Sequence, residues 1–230
     1  MVMTKKKKPT IKKKPSKKAK KKETTTKEKK PTKKEKLAKA QKHYDEGEKY
    51  AQEGNAEGAI ECFLETVELN PDHFDAWYNL GNVFYMGRND WEKAFNCWGR
   101  ALKIKPDDID CMYNVANALR ELGSFDLAIE YYTKIVTLAP EDHEAWNNMA
   151  IAYINKDETE KAIECWKKAV EIKPTKIESW SALSKIYDDT GKSDLAIEAL
   201  QKVLEINPDI SGAKRMLDRI KKSQRVASKQ

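Results

Sequence analysis

At 230 residues, 35% of them charged, the chain is long enough for one ordinary domain and an appendage. The charge is divided unevenly: residues 1–38 carry 18 Lys against 3 Glu, residues 39–208 carry 19 basic against 32 acidic side chains, and the last 22 residues carry 7 against 2. No stretch approaches the ~18 apolar residues a membrane span requires, and the positive N-terminus is not followed by the apolar core of a secretory leader. The expectation is a soluble cytoplasmic protein, or a nuclear one in a nucleated cell, where the lysine run would read as an import signal.

Residues 1–38 use almost only Lys, Thr, Pro, Ser and Glu. Such a segment cannot bury enough apolar surface to offset the entropy of ordering it, so a solvated, disordered tail is expected. Its lysines, Lys5, Lys6, Lys7, Lys8, Lys12, Lys13, Lys14, Lys17, Lys18, Lys20, Lys21 and Lys22, form a polyanion ligand, since each one that neutralises a phosphate releases condensed counterions. With no aromatics to stack and no arginines for bidentate base contacts, nucleic-acid binding by the tail would be non-specific and salt-sensitive. A second expectation is that this arm screens the acidic body in cis until a partner removes it.

From about Lys39 the chain repeats. Pro71, Pro106, Pro140, Pro174 and Pro208 are spaced 35, 34, 34 and 34 residues apart, and each follows an amphipathic run that proline cannot continue. Two helices fit in each period. The first shows large apolar residues three, four and seven apart, as in FDAWYNLGNVFY; the second carries a small residue where the pair crosses, at Ala59, Ala94, Ala128, Ala162 and Ala196. Gly54, Gly123 and Gly191 fall in the hairpin turns, with Asp157 in that place in the fourth unit, while the second unit has one inserted residue in MGRNDW. Residues 40–73, 74–108, 109–142, 143–176 and 177–210 are thus five units. Residues 209–224 place Ile210, Ala213, Met216, Leu217 and Ile220 on one face as a closing helix, and residues 225–230 are expected to be disordered.

Cys62, Cys97, Cys111 and Cys165 include no C-x-x-C pair and lie far from the three histidines, so neither a metal site nor a cofactor is expected. Three of them share one repeat-equivalent place, the mark of small, partly buried side chains, and unpaired thiols suit a reducing compartment.

Trp77, Leu80, Gly81, Phe84, Ala94, Trp98, Ala101 and Pro106 resemble the pattern of the tetratricopeptide repeat family, and Trp146, Ala150, Tyr153, Ala162, Trp166, Ala169 and Pro174 repeat most of it. The resemblance implies an all-α fold: a right-handed superhelical α-solenoid of five helix pairs plus a capping helix, whose inner wall, lined by the first helices, binds proteins or peptides. On that wall it places Tyr78, Asn79, Asn82, Tyr85, Tyr113, Asn114, Asn117, Arg120, Asn147, Asn148, Ile151 and Asn155.

Asparagine recurs two places after the tryptophan position, at Asn79, Asn114 and Asn148, and an amide offers both donor and acceptor to a peptide backbone. This is similar to the asparagine ladder of O-linked N-acetylglucosamine transferases, although asparagine is also common at this place in the family. The relatives that clamp chaperone C-terminal carboxylates use cations where this chain has Asp110 and Asn114, or Glu144 and Asn148, so no chaperone tail is expected. Asp75, Asp110, Glu144 and Glu178 sit in first helical turns, where the helix dipole favours them.

No phosphate loop, nucleophile–base pair or ligand cluster appears, and the expectation is a non-catalytic protein-interaction scaffold. Two alternatives remain: a nucleic-acid- or ribosome-associated factor anchored by the lysine arm, and a targeting subunit of a separately encoded enzyme.

Overall fold

The computed structural model describes residues 31–227, and the tail expected over residues 1–38, with the lysines named above, lies almost wholly outside them. Among the described residues there are eleven helices and no strand. They run α1 Lys33–Gln52, α2 Ala56–Leu69, α3 Phe74–Arg88, α4 Trp91–Ile104, α5 Ile109–Glu121, α6 Phe125–Leu138, α7 His143–Ile154, α8 Thr159–Ile172, α9 Ile177–Asp189, α10 Ser193–Ile206 and α11 Ser211–Ala227. Each helix packs on the next in chain order, which makes five antiparallel pairs and a closing helix stacked as a solenoid.

The second helix of every pair is 14 residues long and stops two residues before its proline. The five crossing alanines have no exposed surface at all, which is what helix axes ~8–10 Å apart require. The turn within each pair reverses through one left-handed residue: Gly54, Gly123 and Gly191 at φ near +75°, and Asp157 at +59°. In the second unit the inserted residue hands this role to Asn89, φ +51°, whose short side chain tolerates that conformation.

The other turn, between units, is latched. Trp77 donates its indole N–H to the Pro71 carbonyl at 2.9 Å, Trp146 to Pro140 at 3.0 Å and Trp180 to Pro174 at 2.8 Å. In the third unit the Met112 side chain has no N–H to give, and Asp108 caps that helix, accepting from Cys111 N at 2.9 Å.

Helix α1 begins at Lys33, ahead of the boundary at residue 38 that composition suggests. KKEKLAKA is built from good helix formers with Glu35 in the first turn, so it coils with its side chains in solvent until Ala40 is buried. At the other end, α11 buries Ala213 and Ile220 against the last pair, and its Gln224 donates to Asp194 at 2.8 Å. It continues to Ala227, past the residue 224 expected.

All four cysteines are buried free thiols, and no group of residues that could hold a metal occurs among the described residues. None of the described helices is long and apolar enough to cross a membrane.

Candidate functional site

The first helices α1, α3, α5, α7 and α9 form the wall, and polar side chains bond across three of its four joints. Asn79 Nδ2 donates to Tyr44 Oη at 3.1 Å, Asn114 Nδ2 to Asn82 Oδ1 at 3.4 Å, and Ser179 Oγ to Asn147 Oδ1 at 3.0 Å. The asparagines therefore already serve the joints between units, and each is left with only part of its bonding capacity.

That remainder has a definite orientation. Asn82 Oδ1 accepts from the indole of Trp98 at 3.1 Å as well as from Asn114, which fills its acceptor and turns its N–H groups toward the Tyr78 hydroxyl. Asn117 Oδ1 accepts from Tyr132 Oη at 2.6 Å, which fixes its orientation and leaves both N–H donors and one oxygen lone pair. Both residues lie at the same place in their repeats, and the same second-helix position supplies the donor in each. Burial pushes the Tyr132 phenol up to about 12, so it stays a donor through the neutral range. Asn148 makes no hydrogen bond to a described residue and offers its whole amide.

Two clefts open on this wall. One, of about 410 Å³, is lined by Tyr85, Asn114, Asn117, Arg120 and Asn148 together with Trp91, Trp98 and Glu121. Tyr85 packs against Trp91 with ring centroids 4.4 Å apart and against Trp98 at 6.1 Å, making an aromatic floor. Arg120 donates to Glu121 at 3.0 Å on the rim. The other cleft, of about 550 Å³, lies between α1 and α3; Asn79 and Asn82 line it beside Glu48, Phe63, Val83 and Met86.

The remaining residues expected on the wall line neither cleft. Tyr78 stacks on Phe74 at 5.9 Å, and Tyr113 meets Tyr132 edge-on at 6.4 Å. The Tyr113 hydroxyl is buried with no hydrogen bond of ordinary geometry among the described residues; burial, then the Asp142 carboxylate, hold its proton on. Asn147 is half-buried and serves Ser179, Ile151 is half-buried, and exposed Asn155 folds its amide back on the Ile151 carbonyl at 2.9 Å.

Sequence reasoning missed Trp91, Trp98, Glu121 and Glu48. Trp98 was legible as a packing residue, but its indole N–H reaches the wall only because Gly81 lies beneath it: a Cβ at Gly81 would stand 2.5 Å from Trp98 Nε1.

Comparison with known proteins agrees with this architecture. The model of the cytochrome c-type biogenesis protein H TPR domain matches residues 65–176, and the tetratricopeptide repeat model matches residues 43–73 and 177–210. The chain belongs to the tetratricopeptide repeat family, whose members mediate protein–protein interactions.

Among solved structures, a crystal structure of MamA superposes with a TM-score of 0.69 at 22% identity, over 74% of this chain and 92% of that one. YrrB, described as a TPR protein with an unusual peptide-binding site, gives 0.65 at 22%, over 75% and 89%. The C-terminal part of a TPR protein from Cytophaga hutchinsonii gives 0.71 at 18%, over 78% and 73%. At these identities the likeness is one of fold. An uncharacterized protein of Methanocaldococcus jannaschii is 40% identical over 43 residues, which span 19% of this chain and half of that protein.

Proposed function

We propose that the chain is a non-catalytic scaffold that holds an extended segment of a partner protein along the wall of first helices. The observation that carries this reading is the enforced orientation of the amides. Trp98 and Tyr132 fix which way the amides of Asn82 and Asn117 point, and over the aromatic floor the N–H donors of Asn117 stand beside Arg120 and the amide of Asn148. Such a surface suits main-chain carbonyls, which every peptide has, and costs no reorganisation on binding. The peptide-binding site described for YrrB, on a similar fold, supports the same reading.

The test is capture of partners by full-length protein and by Asn148→Ala, with nuclease added to both, followed by mass spectrometry. Among the described residues Asn148 has no hydrogen-bond partner, so its truncation should leave the fold intact. The expected result is a protein partner that survives nuclease and is depleted with the variant. A yield that vanishes with nuclease and ignores Asn148 would favour the lysine arm as an anchor on nucleic acid.

A further inference from the structure

The cleft between α1 and α3 differs in kind from its neighbour. Its walls are hydrocarbon, from Ala51, Ala56, Phe63, Val83 and Met86, yet the half-buried carboxylate of Glu48 lies among them. Glu48 occupies the repeat position of Asn82 and Asn117. In those units the second-helix aromatic, Trp98 or Tyr132, donates to that position, whereas in the first unit the aromatic is Phe63, which has nothing to donate.

The hydrogen bond to Glu48 comes instead from Tyr44 Oη, at 2.7 Å, and Tyr44 Oη in turn accepts from Asn79 Nδ2 at 3.1 Å. This relay fixes three side chains and leaves two acceptors over: the second carboxylate oxygen of Glu48 and Oδ1 of Asn79. Among the described residues no Lys, Arg or His pairs with Glu48, although acids at other joints are paired, Glu57 with Arg88 at 2.7 Å and Asp126 with Lys156 at 2.5 Å. The Glu48 carboxylate thus stands beside hydrocarbon with one oxygen left to accept a donor.

We infer that this cleft receives a lysine or arginine side chain of the bound segment. The methylenes would lie against Ala51, Phe63 and Val83, and the charged head would meet Glu48 and Asn79. Met86, 83% exposed at the cleft, is an unbranched thioether able to close over such a stem. Glu48 and Asn79 give this cleft its free acceptors, beside the N–H groups of Asn82, whereas the neighbouring cleft is lined by the amides of Asn114, Asn117 and Asn148 with Arg120. The inference rests on the groove reading for its ligand but has its own determinants.

The experiment is an NMR titration of isotope-labelled full-length protein with N-acetyl-arginine methylamide, its lysine and norleucine counterparts, and the glutamate one. The arginine and lysine probes should shift the amides of Gly54, Val83 and Gly87 saturably. Norleucine should bind roughly tenfold more weakly, the worth of a charge-assisted hydrogen bond, and glutamate not at all. Glu48→Gln should bring arginine down to the norleucine level, and Asn148→Ala, outside this cleft, should leave arginine binding unchanged. Equal binding of arginine and norleucine, an unaffected Glu48→Gln, or no saturable shift with any probe would each overturn the inference. Arginine binding that holds while Asn148→Ala fails to alter partner capture would sink the groove reading and leave this site standing.

Discussion

The second and fourth units spend the same residue differently. In the second, the indole of Trp98 lies over Gly81 and gives its N–H to the Tyr78 carbonyl at 3.2 Å and to Asn82 at 3.1 Å. In the fourth, the equivalent Trp166 is also buried, but its N–H has no acceptor among the described residues. Two substitutions account for this: Ile151 replaces the asparagine, and Ala150 replaces the glycine, so that a methyl stands where the indole would have to come. The lesson is that a repeat position is not a role. The tryptophan packs in both units, but it turns a wall amide only where a glycine lets it approach.

The largest break in this comparison should come from Gly81→Ala. The added methyl must push the Trp98 ring away, and overpacking of this kind costs about 1–3 kcal/mol, more than the ~1 kcal/mol that alanine gains over glycine within a helix. The urea midpoint should fall, and because Asn82 is released, partner binding should weaken as well. The reverse change, Ala150→Gly, should cost only about the helix-propensity difference of ~1 kcal/mol.

A sharper version leaves the glycine alone. Trp98→Phe and Trp166→Phe remove the same atoms, but only the first removes hydrogen bonds. Trp98→Phe should therefore be about 1–2 kcal/mol more destabilising than Trp166→Phe, measured by chemical denaturation of the two variants side by side. Equal losses would show that the Trp98 bonds contribute nothing net.

The smallest effect concerns pH. Burial pushes the thiols of Cys97, Cys111 and Cys165 up to about 12, with nearby carboxylates adding to the shift. A folded-state value above the ordinary one favours the neutral thiol, so this contribution to stability is whole below about pH 9 and is lost as pH rises toward 12. Stability measured at pH 8 and pH 10.5 should decline less in a Cys97→Ala, Cys165→Ala double variant than in the parent.

Much of the architecture could be read from residues whose constraint is local or periodic. The prolines mark where second helices stop, and the alanines mark crossings that admit no side chain, because both requirements recur at a fixed interval. The orientation of the wall amides was not legible, since it depends on whether the second-helix residue facing them is Trp, Tyr or Phe and, for Trp98, on the glycine beneath it. For the same reason Glu48 read as an ordinary solvated acid: its surroundings come from Phe63 on another helix and Val83 in another unit. Asn89 escaped notice because the inserted residue displaced the turn from its glycine register, and the start of α1 because helix propensity needs no burial to act.

The latches between units bear on how the array would flex. Three indoles tie their helices to the preceding proline carbonyls, and the turn between the second and third units, Pro106 to Met112, has none. That joint is crossed instead by Cys111 Sγ to the Trp98 carbonyl and by Asn114 to Asn82, each at 3.4 Å. That joint adjoins the cleft lined by Trp98 and Asn114, so twisting there would widen or narrow the donor-bearing cleft while the acceptor-bearing one, between α1 and α3, keeps its form.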